Sequence, residues 1–340
     1  MINLSDFVKA HVRRFWKAHE LTTVKLSPAL KNASHVAILL TYNEAHRLPY
    51  LLSYYRGMGI DHFIIIDNRS TDRTRELILD EPDVSIFAAN GLFIKSRFGI
   101  DWVNHILSRH CVGKWILHVD ADEFLVYPHM DTQKLHEFTA LLEARHQTSL
   151  PSIMIDMYSE KHHTDNLYSE GDAPLVVCPL FDGKGYVSGL DPVTSTLWIK
   201  GGVRGRIYFQ DDYSRGPALN KTPLLKWKRS YAFLKAAHQL SPPKVNRGGD
   251  VRDDQLIRGA LLHFKFLSDF SKKVEAEKTR QQHTTEYDAY NKPSTEVETM
   301  LSFVGPYTRR YDDWKSLQAE GLIGEGGQFR LSPPETPPVS

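Results

Sequence analysis

Between residues 35 and 124, short apolar runs alternate with amphipathic stretches, and this pattern limits the fold more than any other feature of the chain. The apolar runs are His35 to Leu40, His62 to Ile66, Val84 to Ala88 and Trp115 to Val119. Segments of helical spacing lie between them, at about 44–56, 70–79 and 98–109. Gly57 and Gly59 close the first, Ser70, Thr71 or Asp72 can cap the second, and Asn90-Gly91 makes a turn before the third. A buried strand followed by a helix, repeated, builds right-handed βαβ units on one open parallel sheet. Past residue 150 the pattern loosens. Ile153 to Met157, Leu175 to Leu180, Thr196 to Ile199, Ile207 to Phe209 and Ala260 to Leu267 read as further strands, broken by glycine-rich loops. The expected fold is α/β, Rossmann-like, with an open and mostly parallel sheet, antiparallel additions and a helical C-terminal appendage.

In such a sheet, ligands bind beyond the carboxyl ends of the strands, and three of the four ends here are strongly polar. They read Thr41-Tyr42-Asn43-Glu44, Asp67-Asn68-Arg69-Ser70-Thr71-Asp72 and Asp120-Ala121-Asp122-Glu123. Asp120 and Asp122 are two residues apart in an extended segment, so both can face one ion. Two oxygen donors emerging from a buried strand suit Mn²⁺ or Mg²⁺, and without a cation their charges would be costly. The structural alternative is a helix cap at Asp120 and a salt bridge at Asp122. Asn43 and the Ser70 to Asp72 cluster are likewise natural capping residues. Asp67 stands where an acid accepts hydrogen bonds from a nucleoside. Neither a Gly-x-Gly-x-x-Gly fingerprint nor a Walker A loop is present, so a nucleotide whose diphosphate is held through a metal fits both facts.

Charge and composition narrow the class further. Forty-two Lys and Arg against 41 Asp and Glu give a net charge of +1, which argues against a nucleic-acid binder held by a basic field. The two cysteines, Cys111 and Cys178, are too few for a disulfide framework and read as buried thiols of a reducing compartment. No apolar run approaches the ~20 residues of a membrane span, so the expected location is cytoplasmic. Residues 4–19 form an amphipathic helix with Leu4, Val8, Val12 and Phe15 on one stripe. It reads either as a peripheral foot on the inner membrane face or as a helix packed on its own domain. The expected organisation is this helix within residues 1–30, a catalytic domain at 31–267 divided into nucleotide (31–125) and acceptor (126–267) halves, C-terminal helices at 268–323 and a disordered tail at 324–340.

The runs Ile38-Leu-Leu-Thr-Tyr-Asn-Glu44, Ile66-Asp-Asn-Arg-Ser-Thr-Asp72 and Trp115-Ile-Leu-His-Val-Asp-Ala-Asp-Glu-Phe124 resemble the family 2 type glycosyltransferases of the GT-A fold, in the branch whose metal motif reads Asp-x-Asp-Glu-Phe. Gly201 to Arg206 and Ala260 to Phe266 are similar to the same branch. The resemblance implies an enzyme that moves a sugar from a nucleotide-diphosphate donor to a glycan or lipid-linked acceptor, in cell-surface polysaccharide synthesis. It implies that Thr41, Asn43, Glu44 and Asp67 line the nucleoside side, Asp120 the ribose or metal, and Asp122 the metal. It also implies that His263, or less directly His238, completes the metal shell. Asn68 and Arg69 stand where that family usually has Asp-Gly. Lys95, Arg97 or Arg204 would stabilise the departing diphosphate. Asp182, directly after a strand-like run, is the expected general base, with Asp211, Asp212 and Asp254 as alternatives. The rival readings are a nucleotidyltransferase or phosphatase using the same Asp-x-Asp, or a non-catalytic sugar- or nucleotide-binding protein.

Overall fold

A computed structural model describes residues 4–161, 165–267, 303–327 and 329–333. The strands are β1 (Leu21–Lys25), β2 (His35–Thr41), β3 (His62–Asp67), β4 (Val84–Ala89), β5 (Trp115–His118), β6 (Glu123–Val126), β7 (Ser149–Asp156), β8 (Leu180–Asp182), β9 (Tyr186–Asp191), β10 (Thr196–Gly201), β11 (Asn220–Lys226), β12 (Ala232–Lys235), β13 (Gln239–Ser241), β14 (Gly259–His263) and β15 (Thr308–Arg310). The helices are α1 (Leu4–Trp16), α2 (Leu48–Met58), α3 (Thr74–Leu79), α4 (Ile100–His110), α5 (Leu135–Ala144), α6 (Pro174–Val177), α7 (Gly202–Tyr208) and α8 (Trp314–Ala319).

Nine strands form the central sheet, in the order β1-β4-β3-β2-β5-β11-β7-β14-β6. The four strands expected from the alternation, β4, β3, β2 and β5, are adjacent and parallel. Their side chains alternate between two cores. Ala37, Leu39, Phe63 and Ile65 pack with Leu51 and Tyr55 of α2, while Val36, Ile38, Ile64 and Ile66 pack with Trp102 and Ile106 of α4. Burial on both faces explains why these strands read as unbroken apolar runs.

The second half of the sheet is mixed. β11 runs antiparallel to both β5 and β7, β14 is parallel to β7, and β6 closes the edge antiparallel to β14. Residues 119–122 therefore join two strands that the sheet holds three strands apart. The carboxyl ends of β2, β3, β5, β7 and β14 and the start of β11 share one edge.

Several elements depart from expectation. Pro174 opens a helical turn, α6, so the run from Leu175 keeps only β8 as strand. Ile207 and Tyr208 finish α7 instead of forming a strand. Helix α1 turns its apolar stripe outward: Phe15 is 66% and Trp16 75% exposed, while Ala10 and Arg14 are buried. The anchor is polar, with Arg13 donating to Asp101 at 2.9 Å and Arg14 to Ser108 at 2.7 Å. The helix expected at 268–290 lies outside the described residues. Part of the expected tail packs on the body. The Gly324 carbonyl accepts from the Arg258 amide, Phe329 lies beneath the Arg258 guanidinium, and the Ser332 carbonyl accepts from Gly185 and Tyr186. Cys111 and Cys178 are buried free thiols, both pushed up to about 12 by burial. Among the described residues no helix is long and apolar enough to cross a membrane.

Candidate active site

The sheet's shared edge gathers the polar strand ends. Parallel register sets Thr41 beside Asp67. On the other half, β14 pairs His263 with Asp156 of β7 on one side and with Glu123 of β6 on the other. The loop 119–122 carries Asp120 and Asp122 along this edge, and the amide of Phe264 donates to the Asp122 carbonyl at 2.9 Å.

Asp122 and His263 form the centre. His263 Nε2 stands 3.6 Å from Asp122 Oδ2, while His263 Nδ1 bonds Asp156 Oδ1 at 2.6 Å. Arg204 donates through Nε to the other oxygen of Asp156 at 2.7 Å. Burial opposes ionisation of Asp156, yet the Arg204 and His263 contacts prevail and hold it down at about 2. The Asp156 carboxylate accepts from Nδ1 and so turns Nε2 toward Asp122, the arrangement by which carboxylates orient metal-binding histidines.

Beside this centre, Lys221 of β11 is buried between two acids. Its Nζ lies 3.1 Å from Asp120 Oδ2 and in a short contact with Glu123 Oε1. Burial works against its charge, but Asp120 and Glu123 outweigh it and raise its pKa. Glu123, which also accepts the Asp120 amide, is itself raised by burial despite Lys221. Arg47, buried at the start of α2, reaches Glu44 at 3.3 Å and Asp122 at 3.8 Å. The carboxylates of Glu44, Asp120, Asp122, Glu123 and Asp156 thus face the cations of Lys221, Arg204 and Arg47.

The nucleoside-side candidates meet through their loops. Asn43, at φ 56°, accepts the Thr71 amide at 2.7 Å and the Asp72 amide at 3.3 Å, and its own amide donates to Ser70 Oγ at 3.0 Å. The Glu44 amide donates to Thr74 Oγ1 at 2.8 Å. Asn43 thus staples the loop after β2 to the loop after β3. Asp67 is fully buried, accepting from the Ser70 amide at 3.2 Å and from Arg75 in a short contact. Thr41 Oγ1 is buried with no hydrogen-bond partner among the described residues.

Other candidates stand elsewhere. Asp182 is buried in an ion pair with Arg206 at 3.0 and 3.1 Å and accepts from the Tyr158 hydroxyl at 2.6 Å. Both of its oxygens are therefore engaged by Arg206 and Tyr158. Arg97 is committed to Asp101 at 2.9 Å and to the Leu234 carbonyl at 3.1 Å, which leaves it little to offer a diphosphate. Arg204 is engaged by Asp156. His238 Nδ1 bonds the Asn220 carbonyl at 2.6 Å. Asp212 caps a short turn by accepting the Ser214 amide at 2.8 Å, and Asp254 pairs with Arg252 at 2.9 Å. Sequence reasoning missed Asp156, Lys221 and Arg47 as parts of the site. No local pattern marked Lys221, which shares the mixed polar and apolar strand β11 with Lys226.

No protein-family model matches the chain, and no curated protein matches it. Among solved structures, the chain is similar to the mannosyltransferase PcManGT from Pyrobaculum calidifontis in complex with GDP-Man and Mn2+, at a TM-score of 0.27 and 15% identity. That match covers 49% of this chain and 54% of the mannosyltransferase, about half of each. At this level it fixes no correspondence between residues.

Proposed function

We propose that the chain is a glycosyltransferase that takes a nucleotide-diphosphate sugar as donor, with Mn²⁺ or Mg²⁺ held at Asp122 and His263. The observation that carries the reading is the Asp122–His263–Asp156 series at the carboxyl edge of the parallel strands. The donor set fits a divalent cation: a carboxylate oxygen and a pre-oriented imidazole nitrogen 3.6 Å apart, with Asp120 on the same loop. When bound, the cation supplies positive charge for the diphosphate leaving group. The chain's own groups do the rest. Asp156 orients His263 through Nδ1, Lys221 pairs with Asp120 and Glu123, and the strand ends at Thr41 and Asp67 set the floor of the nucleoside side. The acceptor is a glycan or a lipid-linked precursor. The outward stripe of α1, with Phe15 and Trp16 flanked by Lys9 and Lys17, supports peripheral contact with an anionic membrane face.

A thermal-shift series against UDP, GDP, CDP and ATP, each with and without Mn²⁺, tests the reading, since a ligand that binds only the folded state raises its melting temperature. Stabilisation by one nucleoside diphosphate only when Mn²⁺ is present is expected. A preference for ATP or bare phosphate would favour a nucleotidyltransferase or phosphatase, and no response to any nucleotide would overturn donor binding.

A further inference from the structure

The opposite, amino-terminal edge of the sheet carries a second cluster that the proposed function leaves unused. His35 begins β2, Asp61 precedes β3, and His136 lies in the first turn of α5. One donor atom from each lies within 4.8 Å of the others. His136 Nε2 is 3.1 Å from Asp61 Oδ1, and His35 Nδ1 is 3.8 Å from Asp61 Oδ2. Donors about 2.0–2.1 Å from a tetrahedral ion stand roughly 3.4 Å apart, between these two spacings.

The hydrogen bonds define which nitrogen of His35 faces the acid. The Thr139 hydroxyl donates to the His136 carbonyl at 3.2 Å, so it must accept from His35 Nε2 at 2.8 Å. Nε2 therefore carries the proton and Nδ1 the lone pair. That Nδ1 is buried with no hydrogen-bond partner among the described residues, on a residue only 4% exposed. It points its lone pair at a carboxylate oxygen, an unfavourable meeting unless a cation lies between them. Asp61 Oδ2 is itself aimed by the Ser34 and His35 amides at 2.9 and 2.8 Å.

We propose that His35, Asp61 and His136 form a second metal site, specific for a borderline transition-metal cation of the Zn²⁺ class and separate from the Asp122 centre. Two imidazoles and one carboxylate favour Zn²⁺ over Mg²⁺ or Mn²⁺, and three protein ligands leave a fourth position open. The cluster borders a cleft of about 600 Å³ lined also by Glu143, Lys114 and Lys226, which gives that position access to water or a small anion. Bound metal would tie the start of β2 and the entry to β3 to α5.

The test uses the full chain, stripped with chelator, in an Asp122→Asn background that disables the other site. Calorimetric titration with Zn²⁺ is expected to give one equivalent bound and a rise in melting temperature. Co²⁺ is expected to give the visible bands of a tetrahedral nitrogen and oxygen site. Adding His136→Ala, at a half-exposed position that tolerates truncation, is expected to weaken Zn²⁺ binding by roughly 100-fold or more and remove the Co²⁺ bands. Asp61→Asn, which keeps an acceptor for the two amides, is expected to do the same. Absence of Zn²⁺ binding in the Asp122→Asn background, or binding unchanged by both further substitutions, would overturn the proposal.

Discussion

At the scale of single residues, the site depends on charges balanced out of water. Lys221 is the clearest instance. Replacing it with Met leaves Glu123 buried beside Asp120 with no cation, and loss of one partner from a buried ion pair costs about 3–5 kcal/mol. Urea denaturation of Lys221→Met against the parent is expected to show a loss of that size, with the slope unchanged. Asp122, whose side chain is 20% exposed, should tolerate truncation without unfolding. Asp122→Ala is expected to abolish metal-dependent donor turnover while the circular dichroism spectrum stays that of the parent. Asp156→Asn acts one step further out. It is expected to weaken Mn²⁺ binding about 10- to 100-fold, because an amide no longer holds His263 in its ligating tautomer. Asp120, Asp122 and Asp67 stood out in the sequence because they closely follow or end apolar strands, whereas His263 was singled out only by the family resemblance. Lys221 and Asp156 did not stand out. Their roles exist only through partners about a hundred residues away, at Glu123 and His263, and no local pattern reports such a pairing.

At the scale of elements, the strands were easier to read than what joins them. β2, β3, β4 and β5 fall within a residue or so of the apolar runs, because burial on both faces leaves an unambiguous signature. Short irregular elements were misread where one backbone constraint outweighs hydropathy, as at α6, where Pro174 starts a helical turn in an apolar run. The α7 junction is another such place. Gly201 adopts φ 112°, and a Cβ there would sit 2.2 Å from the Gly185 carbonyl oxygen. Since α7 begins at the next residue and carries Arg204 to Asp156, Gly201→Ala is expected to lower the melting temperature by several degrees. The same change is expected to weaken Mn²⁺ binding through misplacement of Arg204. Helix α1 shows the limit of reading amphipathicity alone. The apolar stripe was legible, but its direction was decided by Asp101 and Ser108, which capture the arginines on the other side.

At the scale of the whole molecule, buried histidines tie stability to pH. His35, His62 and His118 are each lowered to about 4, chiefly by burial. Unfolded, each takes a proton near 6.5, so between about 6.5 and 4 the unfolded chain binds more protons and stability falls as pH falls. Each contributes on the order of 3 kcal/mol across that window. The melting temperature of the metal-free protein is expected to drop steeply from pH 6.5 to 4.5, and His62→Gln, which can still bond Ser85, to flatten the drop. A curve flat across that range would show that these rings are protonated in the fold. One consequence of the strand order concerns synthesis. Residues 119–122 join β5 to β6, yet β6 reaches the sheet only by pairing with β14, which is translated more than a hundred residues later. A growing chain can close its parallel half early, but its acidic loop lacks the β14 partner, His263 included, until residue 263 has left the ribosome. A polypeptide cut short before that point is therefore expected to lack Mn²⁺ binding at the proposed site, so the order of the strands makes completion of that edge a check on chain length.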